Sequence, residues 1–353
     1  MNSSEHSQTD GQEEGDADYI DQDEFDFAPG REGRRRILVA VAQDGARLDR
    51  LLAESFPELS RTYLQKWVAE GQVLLDHRPA TKPSQIVRTG QAIEVIPSVA
   101  EPAEAWLAEP LLAEIVFEDA DLIVVNKPAG LVVHPGAGHP NGTLANGLIG
   151  HAPEMAQVPR AGIVHRLDRD TTGLLVAAKT LPSQVSLVRQ LEARKVRRTY
   201  WALVWGCPRL ARVSTGFGRD QRDRKKMAVL PEGQGKEAIT RIESAELGLL
   251  FGQPASLLRL QLETGRTHQI RVHLEYLGHP LVGDITYKRR APHANRLLGG
   301  KDIIQNLIPG QALHAQNLEF IHPVSEKLMR FSCPPPSGLA RVLELAGLGE
   351  GIR

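Results

Sequence analysis

An acid flanked by two arginines stands in the run His165-Arg166-Leu167-Asp168-Arg169-Asp170-Thr171-Thr172-Gly173, the segment of this chain best suited to chemistry. Apolar stretches lie on both sides, Gly162-Ile163-Val164 before it and Leu174-Leu175-Val176-Ala177-Ala178 after it. Charged residues between two buried strands imply a loop held rigidly at a sheet edge. The same residues also suit a plain turn, in which Asp168 or Asp170 takes nearby backbone amides and the arginines are solvated. A cation for Asp168 is offered by Thr264-Gly265-Arg266-Thr267-His268-Gln269-Ile270-Arg271-Val272-His273-Leu274. On a helix starting near Thr267, Arg271 lies one turn from His268 and shares a face with Leu274. An arginine buried there needs a carboxylate, and Asp168 is the candidate.

Two further groups bear on the same chemistry. Tyr200 opens an apolar stretch, Tyr200-Trp201-Ala202-Leu203-Val204, just after Arg194, Lys195, Arg197 and Arg198. A tyrosine so placed could stack on a nucleobase and supply a hydroxyl; an ordinary sheet tyrosine beside a solvated basic turn would look the same. Asn126-Lys127-Pro128-Ala129-Gly130 shapes a loop in which Lys127 could meet a phosphate, and Arg219, Arg222, Arg224, Lys225 and Lys226 form another basic cluster. The glycine spacing makes neither a Walker loop nor a dinucleotide fingerprint, so nucleotide-cofactor binding is poorly supported. His268 and His273 stand five apart without the acid of an HExxH helix, which argues against a zinc protease. Cys207 and Cys333 form no CxxC pair, which argues against a disulfide framework or a cysteine-based zinc site.

The elements that must position these groups fall into two units. Strands are predicted at 115–119, 122–128, 174–178, 199–205, 239–246, 256–262 and 313–320, with helices over 142–150, 182–195 and 268–276. Strands and helices without a regular alternation predict an α+β unit around a largely antiparallel sheet. Ahead of it, residues 37–41 read as a strand. Leu48, Leu51 and Leu52 share a helix face, and a second helix runs from 61 to 70 before Gly71. Strands at 73–75 and 92–96 complete this smaller unit. The division predicted is an acidic tail over 1–35, the small unit over 36–97, a linker at 98–110, the larger unit over 111–340 and a C-terminal tail over 341–353.

Composition narrows the partner. At 353 residues, 24% charged and 41% hydrophobic, the chain reads as an ordinary globular protein of about two domains. Residues 1–30 hold ten acids and no Lys or Arg. Of the 43 acidic and 42 basic residues in the chain, the remainder therefore keeps 33 against 42, an excess of nine positive charges. A basic body fits an anionic partner. No stretch is apolar enough to span a bilayer and the N-terminus is acidic where a signal peptide would be basic, so no membrane partner and a cytoplasmic location are expected.

Taken in order, the HRLDRDTTG, RRTYWALVWG and TGRTHQIRVHL blocks, the last followed by Gly278-His279-Pro280-Leu281-Val282-Gly283-Asp284, resemble the RluA family of pseudouridine synthases. The order of elements over 36–97, with Arg61, Gln65-Lys66 and Gly71-Gln72-Val73, resembles an S4 RNA-binding domain. The NKPAGLVVHPGAG segment points to those members that act on large-subunit ribosomal RNA. The resemblance runs from about residue 36 to 336. It implies a pseudouridine synthase fold with a mixed, largely antiparallel sheet, preceded by a small S4-like α/β domain. It implies isomerisation of uridine in 23S rRNA by base flipping, without metal or organic cofactor. Asp168 matches the catalytic aspartate, which opens the reaction either as a nucleophile at C1′ or as a base at the 2′ position. Arg271, or failing it Arg266, would hold Asp168 ionised, and Tyr200 would stack on the uracil and take the C5 proton late. Arg166 would enter the RNA stack in place of the flipped base. His165, Lys127 and Arg266, with Arg47, Arg61 and Lys66 of the S4-like unit, are expected to contact RNA. Asp170 is expected to hold its loop through backbone bonds. A tRNA or another rRNA target, and an RNA-binding assembly factor without chemistry, are the alternatives. A monomer is expected.

Overall fold

The computed structural model describes residues 35–56, 61–95, 106–136, 138–289, 291–292 and 300–349, apart from the side chains of 35, 61–63 and 66. The acidic tail and the side chains of Arg61 and Lys66 lie outside the described residues. The first unit comprises β1 (Arg35–Leu38), α1 (Leu48–Ser55), α2 (Arg61–Ala69), β2 (Val73–Leu75), β3 (Arg78–Pro79) and β4 (Ala92–Val95). Its sheet is antiparallel in the order β1-β4-β2-β3. Leu48, Leu51 and Leu52 recur at helical spacing, so α1 buries them against Leu64, Trp67 and Val68 of α2 and Val73, Ile93 and Val95 of the sheet.

The second unit opens with β5 (Glu114–Glu118), β6 (Leu122–Lys127), α3 (Leu144–His151), β7 (Thr172–Ala178), α4 (Leu181–Glu192) and β8 (Arg197–Trp205). It continues through β9 (Arg212–Arg219), β10 (Met227–Leu230), β11 (Lys236–Leu250), β12 (Gln253–Leu262) and α5 (Gln269–Tyr276). It closes with α6 (Gly300–Leu307), β13 (Leu313–Ile321), β14 (Leu328–Ser332) and α7 (Ser337–Leu345). Ten strands form one mixed sheet in the order β10-β9-β11-β12-β8-β13-β7-β6-β5, with β14 added beside β13. Among the described residues only the β13–β7 pairing is parallel, as the α+β reading requires. β7 lies inside the sheet and every residue of it is buried, which explains why its sequence is a continuous apolar run.

The structure corrects three expectations. Residues 341–349 are no tail: α7 begins at Ser337, and Leu339, Val342, Leu343, Ala346 and Leu348 pack into a core with Leu203, Trp205 and Ile304. The apolar positions of SGLARVLEL recur at helical spacing, a short pattern obscured by the linker-like Pro334-Pro335-Pro336 before it. The second half of the predicted linker belongs to the larger unit. Leu107 O accepts from Asn146 Nδ2 at 2.9 Å, and Glu109 takes the Gly142 amide. Finally, β9 and β10 fall outside the predicted strands, because RVSTGFGR buries only Val213 and Phe217 and carries little strand signal. Among the described residues no helix is long and apolar enough to cross a membrane.

Candidate active site

The loop between Val164 and β7 is fastened from three directions. Val176 N–H, in β7, donates to His165 Nε2 at 3.2 Å. Gln311 Nε2 donates to Thr171 Oγ1 at 2.9 Å, and Thr171 N closes a turn onto Asp168 O at 3.1 Å. From β6, Lys127 Nζ donates to Arg169 O at 2.7 Å and also to Pro128 O and Leu131 O, at 2.9 and 2.8 Å. The loop ends on Gly173, whose φ of +110° and neighbouring Ala315 O, 2.3 Å from where a Cβ would stand, leave no room for a side chain. A loop so tied presents Asp168 in one direction.

Two of the expected RNA contacts are corrected here. Lys127 is fully buried and its three N–H bonds are all taken by carbonyls, so it cannot meet a phosphate. Its charge serves the interior of the fold, where buried carbonyls require donors. His165 is buried at 2% exposure, and burial with the nearby Arg198 lowers its pKa to about 3. It is a neutral ring that accepts from the backbone rather than a surface cation. Asp170 does hold structure, but through a side chain: Arg169 Nε donates to it at 3.4 Å. It lies over Gly310, where an added Cβ would come within 2.4 Å of Asp170 Cβ.

Arg271 is the guanidinium that reaches Asp168. Its Nη1 donates to Asp168 Oδ2 at 3.2 Å, while Nε and Nη2 grip Asp284 at 2.8 and 3.2 Å. Arg266 goes elsewhere, its Nε donating to Glu237 O at 3.3 Å. Asp284 stands in the sequence only as the end of a motif, yet it is the fixed point of the site. It is fully buried, and its Oδ1 also accepts the amides of Thr286 and Tyr287 at 2.9 Å. A carboxylate with three partners of fixed direction orients Arg271, and Arg271 then orients Asp168. The Tyr287 ring lies 5.0 Å from the Arg271 guanidinium carbon, and its hydroxyl takes the Met227 amide and meets His268 Nδ1, each at 2.9 Å.

α5 begins after His268, whose φ of 55° is left-handed, a conformation that side-chain-bearing residues rarely hold. The turn is clamped by Gln269, which accepts from Arg266 N and Thr264 Oγ1 and donates to Ile239 O and Thr240 Oγ1. Burial raises the pKa of Asp168, but the positive charges of His268, Arg271 and Arg166 outweigh it, and the net shift is downward. The side chain is only 12% exposed and remains a carboxylate. Burial alone would lower the pKa of Arg271; Asp168 and Asp284 more than reverse that, so its charge is permanent.

Tyr200 stands on β8 between Leu260 of β12 and Ala315 of β13. It lines the same cleft as Arg166, Leu167, Asp168, Arg198 and Arg271. Burial raises its pKa, so the phenol is neutral. The cleft thus combines an ionised carboxylate, an aromatic wall and several guanidinium groups, a set that fits an aromatic heterocycle attached to a polyanion. Arg198, by sequence one of four cations in a solvated turn, is only 7% exposed and lines the cleft. Its spacing of two from Tyr200 on a strand is the signal that both share a face. Arg47, at the start of α1, is exposed and makes two bonds to Asp49, at 3.0 and 2.8 Å. It lines an open hollow of about 830 Å³ with Arg50 and Gln65. Among the described residues, Asp119, Asp121 and His322 are the one group with metal-ligand atoms close together. His322 there pairs with Asp119 at 2.8 Å and takes the Val324 and Ser325 amides, closing a turn.

The model of the RNA pseudouridylate synthase family matches residues 121–276, and that of the S4 domain matches 46–93. The chain is 44% identical over 339 residues to ribosomal large subunit pseudouridine synthase D of Neisseria meningitidis serogroup B, covering 96% of this chain and 88% of that protein. It is 44% identical over 312 residues to the protein of the same name from Vibrio vulnificus, covering 87% and 92%. Among solved structures, human RNA pseudouridylate synthase domain containing 4 aligns at a TM-score of 0.51 and 26% identity, over 67% of this chain and 94% of that one.

Proposed function

The chain belongs to the RNA pseudouridylate synthase family, and we propose that it isomerises uridines of large-subunit ribosomal RNA to pseudouridine from the Asp168 loop. The observation that carries the site assignment is the Asp168 carboxylate, kept ionised by Arg271 at 3.2 Å in a cleft that Tyr200 also lines. The ribosomal target rests on the names of relatives that match nearly the whole chain.

Isomerisation breaks the N1–C1′ bond, turns the uracil and joins C5 to C1′. An ionised Asp168 can open it in two ways. As a nucleophile it forms an ester to C1′ while the N1–C1′ electron pair leaves with the uracil. As a base it takes the 2′ proton and a glycal forms as the uracil departs. In both, C5 then bonds to C1′, as the C1′–O bond of the ester breaks and frees the carboxylate in the first route and as C2′ takes its proton back from Asp168 in the second; the C5 proton is lost and N1 gains one. Tyr200 stacks on the base; as a neutral phenol it moves the C5 proton only by passing on its own. Arg166, beside Asp168 at the cleft, fills the stack left by the flipped base. Arg271 acts through Asp168 by fixing its charge and direction.

The S4-type unit, taken as residues 36–97, supplies affinity for the phosphate backbone through Arg47, Arg61 and Lys66, and the unit from 111 onward does the chemistry. On this substrate the chain works in the cytoplasm, as a monomer. The test is release of tritium from large-subunit RNA labelled at uridine C5. Wild type is expected to release it and Asp168→Asn to bind the RNA without releasing any. Turnover by Asp168→Asn would remove Asp168 from the role.

A further inference from the structure

Arg198 is a buried cation without a carboxylate partner among the described residues. Its side chain projects from β8 on the face that carries Tyr200, with 7% of the residue exposed. Its Nε makes no hydrogen bond, and among the described residues no carboxylate lies in ion-pair range of its guanidinium. Glu263, which lines a cavity with Arg198, is taken by Arg212, Arg241 and Arg194. The neighbouring ring, His165, is neutral and gives Arg198 no compensating charge. Buried guanidinium groups are otherwise paired, because desolvating one costs several kcal/mol. Arg271, in the same cleft, has two aspartates.

The location of Arg198 tells what the missing anion is. It lines the Asp168 cleft on one side and, on the other, a separate cavity of about 320 Å³ that also holds Thr264, Gly265 and Arg266. The two spaces share Arg198, Gly265 and Arg266 and have no other lining residue in common. Along a strand, residues two apart lie roughly 6.8 Å apart on one face. With the uracil against Tyr200, Arg198 stands that far along the same face, a separation that suits a backbone phosphate of the same nucleotide. The second cavity then receives the adjoining part of the sugar–phosphate chain.

We propose that Arg198 is the floor of a phosphodiester subsite, and that its counter-ion is a backbone phosphate flanking the flipped uridine. This rests on the reading of the site as an RNA uridine isomerase. The free protein holds an uncompensated charge, and the substrate supplies the compensation only when the nucleotide is fully inserted. Arg198 thus couples insertion of the base to capture of its backbone. Glu192, Arg194, Glu263, Arg266 and His165 are the other titratable or charged groups facing the cavity.

The experiment compares wild type, Arg198→Met and Arg198→Lys on a stem-loop RNA, with one methylphosphonate (an uncharged phosphate replacement) placed on either side of the target uridine. KM, kcat and the dissociation constant of each RNA are measured, with the melting temperature of the free proteins. Arg198→Met is expected to raise KM roughly ten-fold or more, with most of the loss of efficiency in KM, and Arg198→Lys to restore part of it. The dependence of log KM on log salt should flatten by about 0.7. One methylphosphonate should weaken wild type similarly and affect Arg198→Met less than about two-fold. The free Arg198→Met protein should melt no lower than wild type, since an unpaired buried charge has been removed. A melting temperature that falls would mean a structural role, and an effect confined to kcat would mean a role at the departing base. Methylphosphonate penalties undiminished in the variant would equally overturn the proposal. If wild type isomerised no uridine, the enzyme reading would fail by itself, while the dissociation constants would still test the phosphate contact.

Discussion

Replacing Lys127 with methionine separates two physical roles for one lysine. The sequence suggests a cation waiting for phosphate; the structure shows a strut holding Pro128 O, Leu131 O and Arg169 O. Methionine fills much of the same volume and leaves three carbonyls without that donor, Leu131 O buried and Pro128 O and Arg169 O partly so. Each such loss costs about 1–3 kcal/mol. Removing a desolvated charge and admitting water to the loop return part of that, which leaves about 4 kcal/mol. For a unit of this size each kcal/mol moves the melting temperature by about 2–4 °C, so a fall of roughly 8–16 °C is expected in a thermal melt. Because Arg169 is the residue after Asp168, the freed loop should also lower kcat by about ten-fold or more. The salt dependence of RNA binding should not change. A melting temperature within about 2 °C of wild type, with a salt slope flattened by about 0.7, would refute the strut and restore the phosphate contact.

Asp284→Asn keeps the shape of the anchor but not its charge. Single-turnover rates should fall about 10- to 100-fold with RNA affinity nearly intact, and an unchanged rate would show that Arg271 needs no anchor. Tyr287→Phe removes the hydroxyl that joins Met227 N to His268 but keeps the ring beside Arg271. A loss of about 1–2 kcal/mol in urea unfolding and a several-fold slower reaction are expected; full activity would leave the hydroxyl without a role in the site. Burial lowers the pKa of His134 and His165 to about 3 and of His273 to about 4, against 6.5 in an open chain. The unfolded chain therefore binds three protons that the native state refuses, and stability is lost as pH falls below 6.5. Near pH 5 the slope should approach about 4 kcal/mol per pH unit, at about 1.4 for each proton. A urea midpoint that stays flat from about pH 7 to 5 would contradict the buried neutral rings.

The sheet is legible in the sequence where strands bury both faces or alternate strongly. TGLLVAA of β7 and the leucine pattern of α1 carry their own periodicity. Legibility fails at β9 and β10, whose pairing partners and not their own apolar residues decide their state, and at α7, masked by the prolines before it. In the site, Asp168 and Arg271 are legible as a pair because a buried arginine requires an acid. Which polar residues turn inward is not legible. Lys127 and His165 look like surface contacts in a motif, yet three carbonyls and one strand amide claim them. Asp284 gives no sign of being the anchor, since its partners converge only after α5 and the turn at 284–287 are assembled. Arg198 looks solvated because its neighbours in sequence are, and only its strand phase places it inside.

The most direct test is carbodiimide mapping of pseudouridine in large-subunit ribosomal RNA from cells lacking this gene, complemented with wild type or Asp168→Asn. The expected result is loss of modification at one or more uridines, restored by wild type and not by Asp168→Asn. A map that is unchanged by the deletion would contradict the ribosomal target, and restoration by Asp168→Asn would contradict the role of the carboxylate.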